Sequence, residues 1–237
     1  DLKVEVPKEY QSWLKAEALS ETELKVTTTT TNNLMVNRVG HIIMKTKEVI
    51  DGFDGITFDI SQGTAFWKEG GADNYVVDEE TGYMTLYGSG IVTNYLFKKG
   101  RLAFDFESIN LTGEDWIEFN MWPNSGNTNF HLHFYANKES NFTCGGSGLN
   151  WTQKTFTWTS EQTNVVKKIE FLVVNKEEGS NALVLKLIID GVEVAVLDNN
   201  ITDPYATEPG APVYFRMHTT NKASNFTVKS ITWEPVE

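Results

Sequence analysis

Three short runs of alternating residues hold most of the side chains able to do chemistry. In residues 116–122 (WIEFNMW), Ile117, Phe119 and Met121 share one parity, and Trp116, Glu118, Asn120 and Trp122 the other. In 130–137 (FHLHFYAN), Phe130, Leu132, Phe134 and Ala136 alternate with His131, His133, Tyr135 and Asn137. In 213–218 (VYFRMH), Val213, Phe215 and Met217 alternate with Tyr214, Arg216 and His218. Successive strand residues point to opposite faces, so each run predicts one apolar face and one face of rings, imidazoles and amides. These second faces carry three of the four His, one of the three Arg and two of the seven Trp. A merely solvated face carries Lys, Glu, Thr and Ser instead. Rings beside short donors and acceptors suit a sugar: its apolar side stacks on Trp or Tyr, and its hydroxyls need fixed partners. The structural alternative is packing, with Trp116 and Trp122 under a loop or the N-terminal segment and His131 and His133 satisfied across strands. Trp67, in the Gly-rich stretch AFWKEGG, is a further candidate at the rim of such a surface. Trp158 and Trp233 read as core.

The elements that must position these residues are β. The chain has 237 residues, 40 % of them hydrophobic and 12 % aromatic, enough for a large core. Single all-β domains reach this length, so one domain plus an extension is expected. From Asp51 onward short alternating runs are separated by Gly-, Asn- and Pro-rich turns such as Lys99-Gly100 and Gly145-Gly146-Ser147-Gly148. Asp190-Gly191 between two apolar runs signals a tight hairpin. About ten strands without intervening helices predict a two-sheet antiparallel β-sandwich over 51–237. Residues 1–50 form an extension. Tyr10, Trp13, Leu14 and Ala18 have helical spacing and predict a short helix over 8–19. Thr27–Thr31 is either a strand or a linker, and residues 34–50 are apolar enough to pair with the main sheet.

The order of these runs resembles the concanavalin A-like, laminin G-like jelly rolls. The residues carrying it run from Tyr75-Val76-Val77-Asp78 through Gly90-Ile91-Val92-Thr93 and Arg101–Phe106. They continue in the Lys186–Val194 hairpin and the closing strand Phe226–Trp233. That superfamily includes lectins, carbohydrate-binding modules and glycan-cleaving enzymes. The resemblance implies glycan bound on the concave sheet, and hence a groove lined by the polar faces above.

Three glycan functions then compete. Hydrolysis needs two carboxyl groups about 5–9.5 Å apart, and jelly-roll hydrolases resemble E-x-D-x-x-E on one strand. Here Glu114-Asp115-Trp116-Ile117-Glu118 is nearest, but Trp stands at 116 and Asn at 120. A lyase of this fold implies a base, an acid and a uronate neutraliser, and His131 or His133, Tyr135, Arg216 and Asn120 have the right types. A net charge of −12 repels a polyanion. A non-catalytic module needs only the fold and the aromatic face, and is the expected function.

The same charge leaves no dense basic field for nucleic acid or an anionic membrane surface. No apolar run reaches the ~18 residues of a membrane helix. Cys144 stands alone, which excludes a disulfide framework. Acidic loop residues Asp59, Asp198 and Asp203 are compatible with a structural Ca²⁺, although no D-x-D-x-D-G loop is present. Sparse cysteine, low basicity and abundant Asn, Thr, Gly and Trp fit an extracellular protein and a module linked to other domains. Five N-x-[ST] sequons, at Asn110, Asn141, Asn150, Asn200 and Asn225, matter only in a eukaryotic secretory context. With helical periodicity confined to 8–19, circular dichroism should show less than about 10 % helix. A helix-dominated spectrum would contradict the strand reading.

Overall fold

The computed structural model describes residues 2–46, 48, 52, 54–64, 66–69, 75–87, 90–97, 99–113, 115–121, 129–136, 138–146, 149–180, 182–202, 211–218 and 224–236. The chain divides into two compact units, Asp1–Thr64 and Ala65–Glu237.

The first unit contains β1 (Leu2–Glu5), β2 (Leu14–Ala18), β3 (Leu24–Thr28), β4 (Arg38–Thr46) and β5 (Ile56–Gln62). β1, β4 and β5 form one sheet, and β2 and β3 a hairpin. Trp13, Leu14 and Ile42 are buried together, with Tyr10, Val4, Val6, Ala16 and Ile60 against them. The Arg38 guanidinium lies 4.5 Å from the Trp13 ring centroid and donates to Gln62 Oε1. Gly40 fits beneath Trp13 because a Cβ there would approach the indole to 2.8 Å.

Two expectations change here and one open choice is decided. The helix over 8–19 is reduced to one 3₁₀ turn, Lys8–Tyr10, followed by strand β2. A twelve-residue helix is marginal in water, and here the β-branched Thr27 and Thr28 of β3 pair with Lys15 and Leu14 instead. The Thr run is therefore strand to Thr28, after which Thr29 N donates to Trp13 O. Residues 56–62 pair with β4 along their whole length, so this segment and β4 belong to the first unit rather than the sandwich.

The second unit holds β6 (Phe66–Glu69), β7 (Tyr75–Val77), β8 (Met84–Leu86), β9 (Gly90–Phe97), β10 (Gly100–Asn110), β11 (Trp116–Met121) and β12 (Asn129–Tyr135). It continues with β13 (Glu139–Gly146), β14 (Leu149–Thr157), helix α1 (Ser160–Asn164), β15 (Lys168–Asn175), β16 (Ala182–Ile189), β17 (Val192–Thr202), β18 (Ala211–His218) and β19 (Asn225–Glu234). One seven-stranded sheet runs β17-β16-β15-β10-β19-β8-β7, the other β14-β13-β12-β11-β18-β9-β6. Neighbours pair antiparallel, giving the two-sheet jelly-roll sandwich.

The sheets meet through aromatic rings. Phe119 of β11 lies 4.9 Å from Phe104 of β10 and 5.1 Å from Phe171 of β15, and Phe142 of β13 lies 6.1 Å from Phe171. All four are fully buried, and their tilted and edge-on geometries suit the ring quadrupoles. At the hairpin, Asp190 (φ 48°) and Gly191 (φ 81°) are both left-handed, as a two-residue primed turn requires. Helix α1 was not expected, although Thr159 and Gln162 form its capping box.

Phe171→Ala should destabilise this unit by about 3–5 kcal/mol. Val192→Ala, at an exposed site, should stay within about 0.5 kcal/mol of the parent. Urea unfolding distinguishes them, and equal midpoints would contradict the assigned core.

Candidate functional site

The three alternating runs form the middle of the second sheet. β12 pairs β11 with Trp116 opposite Tyr135, Glu118 opposite His133 and Asn120 opposite His131. β18 flanks β11 on the other side, with His218, Arg216 and Tyr214 opposite the same three residues. Nine predicted positions thus make a grid three strands wide. The register is held from below: Ile117, Phe119, Leu132 and Phe134 are fully buried on the opposite parity. A one-residue slip would turn these into solvent and bury the polar set.

The described side chains of the grid form a continuous ring surface. Trp116 lies 5.4 Å from Tyr135 at 35° and 6.2 Å from His133. His131 and His133 stack at 5.7 Å and 20°, and His133 meets Tyr135 edge-on at 6.3 Å. Lys138 Nζ sits 5.0 Å from the Tyr135 centroid. Trp116, His131, His133 and Tyr135 are half-buried, leaving ring surface available to a ligand. Glu118 is only 5 % exposed. A carboxyl so buried needs compensating partners, and its cross-strand neighbours are His133 and Arg216.

This arrangement bears on the chemistry. The positions around Glu118 on this face are Trp116, Asn120, His131, His133, Tyr135, Tyr214, Arg216 and His218, and none is acidic. Glu139 lies two strands away, and Glu69 three, through Gly90 and Arg216. At ~4.8 Å per strand and ~3.4 Å per residue these stand roughly 12 and 14 Å from Glu118. Among the described positions, no acid is paired with Glu118 across strands or stands two residues along its own strand. Glu114 lies outside the described residues.

Trp67 stands in strand β6 rather than in a loop. It pairs with Val92, which pairs with Tyr214, so it joins the row of Tyr214, Asn120 and His131. Trp122 and Asn137 lie outside the described residues. Trp158 packs on Phe134 at 5.9 Å but is half-buried rather than fully in the core.

The sequence reading missed an extension of the grid. Asn141 and Thr143 of β13 continue the rows of His133 and His131, and Thr155 and Gln153 of β14 continue them further. Gln153 Nε2 donates to Asn141 Oδ1 at 2.7 Å. The alternation around buried Phe142 was the available signal, obscured because Gly145 and Gly146 read as loop. Of the acidic residues considered for calcium, Asp59 contacts His41 at 2.6 Å and Asp198 contacts Lys176 at 2.7 Å. Asp203 lies outside the described residues. Among the described residues no cluster of three or more His, Cys, Asp or Glu is placed to hold a metal, and no helix is long and apolar enough to cross a membrane.

No protein-family model and no curated protein matches the chain. Among solved structures it is similar to a prokaryotic β-1,3-1,4-glucanase (lichenase) from a mouse hindgut metagenome. Identity is 11 % over 72 % of this chain and 93 % of that one, with a TM-score of 0.46. It is also similar to a Bacillus licheniformis β-glucanase, at 10 % identity over 73 % and 92 % and a TM-score of 0.47. An endo-β-1,4-glucuronan lyase from Trichoderma reesei aligns at 12 % identity over 94 % and 91 %, with a TM-score of 0.40. Likeness at this level assigns no reaction.

Proposed function

We propose that the chain is a non-catalytic carbohydrate-binding module of a secreted, multidomain protein, taking a polysaccharide on the polar face of β11, β12 and β18. The observation that carries this reading is the ring surface of Trp116, Tyr135, His133 and His131 around a nearly buried Glu118. The rings offer stacking area to pyranose faces. Imidazoles, phenol and carboxyl offer directional partners to hydroxyls. Because these groups sit on regular strands of a packed sandwich, little ordering is required when a ligand arrives.

A second reading rests on the row His133–Glu118–Arg216, with Tyr135 beside His133. Arg216 would neutralise a uronate carboxylate, His133 or Tyr135 would remove the C5 proton, and the other of the two would protonate the leaving glycosidic oxygen as the C4–O bond breaks and the C4=C5 double bond forms. The module is preferred because a nearly buried carboxyl beside Arg216 already makes demands on its charge.

Affinity electrophoresis through gels containing a β-glucan, a xylan, a mannan or polygalacturonate tests both readings. The parent should be retarded by at least one gel without generating reducing ends or ultraviolet-absorbing unsaturated ends. Trp116→Ala should weaken that retention by about 1–3 kcal/mol, as for other desolvated stacking contacts, with an unchanged circular dichroism spectrum. Unsaturated products that disappear in Tyr135→Phe would establish the lyase instead. Retention unaffected by Trp116→Ala would move the binding surface elsewhere.

A further inference from the structure

The chain passes between the two sheets of the sandwich at neighbouring places. β10 leads into β11 and β18 into β19; β10 pairs with β19 in one sheet, while β11 pairs with β18 in the other. Asn110 lies opposite Asn225 on the first side of the crossing, and Trp116 opposite His218 on the second. A hydrogen-bonded tie joins the crossings. Ser224 Oγ donates to Asp115 Oδ2 at 2.5 Å and accepts from Thr112 N at 2.9 Å. Thr112 Oγ1 lies 3.0 Å from Ser224 Oγ, and Asp115 N donates to Thr112 O at 3.2 Å. Leu111 N donates to Asn164 Oδ1, anchoring the start of the same connection on α1.

Asp115 and Ser224 are both 0 % exposed. Burying a carboxyl is costly unless it is paired, and an apolar pair would join two connections at less expense. What the polar tie adds is direction. The Ser224 hydroxyl has one proton and two lone pairs, and these three contacts use them all.

We infer that Asp115 and Ser224 are positioning residues for the binding face. The tie fixes the backbone immediately before Trp116 against Ser224, at the entry to β19 and six residues after His218, and through that anchor sets one end of the β11–β18 register. This inference rests on the proposed function for its binding consequence, but not for its structural one.

The test compares Ser224→Ala with Ser224→Thr, which keeps the hydroxyl. Amide hydrogen exchange in Ser224→Ala should accelerate about tenfold or more at residues 116–118 and 216–218, where the loss of a hydrogen bond to a buried charge is felt. Exchange in β15 and β16 should stay at parent rates, and Ser224→Thr should restore the protection. On the retained polysaccharide, Ser224→Ala should lower affinity about tenfold, and this loss should largely vanish in a Trp116→Ala background, since the two effects share one path. Unchanged exchange at 116–118 and 216–218, or acceleration spread evenly over both sheets, would overturn the inference. So would a Ser224→Ala loss that adds fully to that of Trp116→Ala. If Ser224→Ala does not fold, Asp115→Asn, which removes the charge from the hydrogen bond, should accelerate exchange at the same residues by a smaller factor, and unchanged exchange there would overturn the inference. A parent that binds none of the four polysaccharides refutes the proposed function, while the exchange result still decides the positioning role.

Discussion

The burial of Phe119 is the constraint on which the rest of the structure depends. Its ring meets Phe104 and Phe171 of the opposite sheet, and it shares a strand with the fully buried Ile117. With that parity committed to the core, Trp116, Glu118 and Asn120 are committed to the outer face. The cross-strand register then extends the decision to β12 and β18 without further instruction. The site is thus the reverse side of the core, and its rigidity comes from the close packing beneath it.

Glu118 gives the face its chemical character. A nearly buried carboxyl at the centre of a sheet, with His133 and Arg216 at the paired positions, differs from an acid free in solvent. Among the described positions paired with Glu118 or two residues along its strand, no second carboxyl stands. In the function proposed above it serves as a fixed acceptor among rings. The same row keeps elimination open as the chemical alternative, because Arg216 and Tyr135 both border it.

Much of this was legible in the sequence, for reasons that can be named. Residues 116–121, 130–135 and 213–218 alternate so cleanly that their faces separate without a structure, and Asp190-Gly191 carries its turn in its residue types. The N-terminal segment was not legible. Trp13, Leu14 and Ala18 have helical spacing, but pairing with Thr27 and Thr28 overrides it, and local spacing contains no information about a distant partner. Residues 56–62 alternate like the sandwich strands, so only their pairing with β4 assigns them to the first unit. The burial of Glu118 was hidden because its cross-strand neighbours come from segments 15 and 98 residues away. Asn141 and Gln153 were missed because two glycines resembled a loop where the strand continues.

The central claim is that ligand contacts gather on one face of one sheet. Its most direct test is a nuclear magnetic resonance titration of the isotope-labelled chain with an oligosaccharide of whichever polysaccharide retards it. The account predicts that shifts cluster on the indole of Trp116, the rings of His131, His133 and Tyr135, and the amides of β11, β12 and β18. Shifts confined to the opposite sheet or to the Asp1–Thr64 unit, with those residues unmoved, would contradict it.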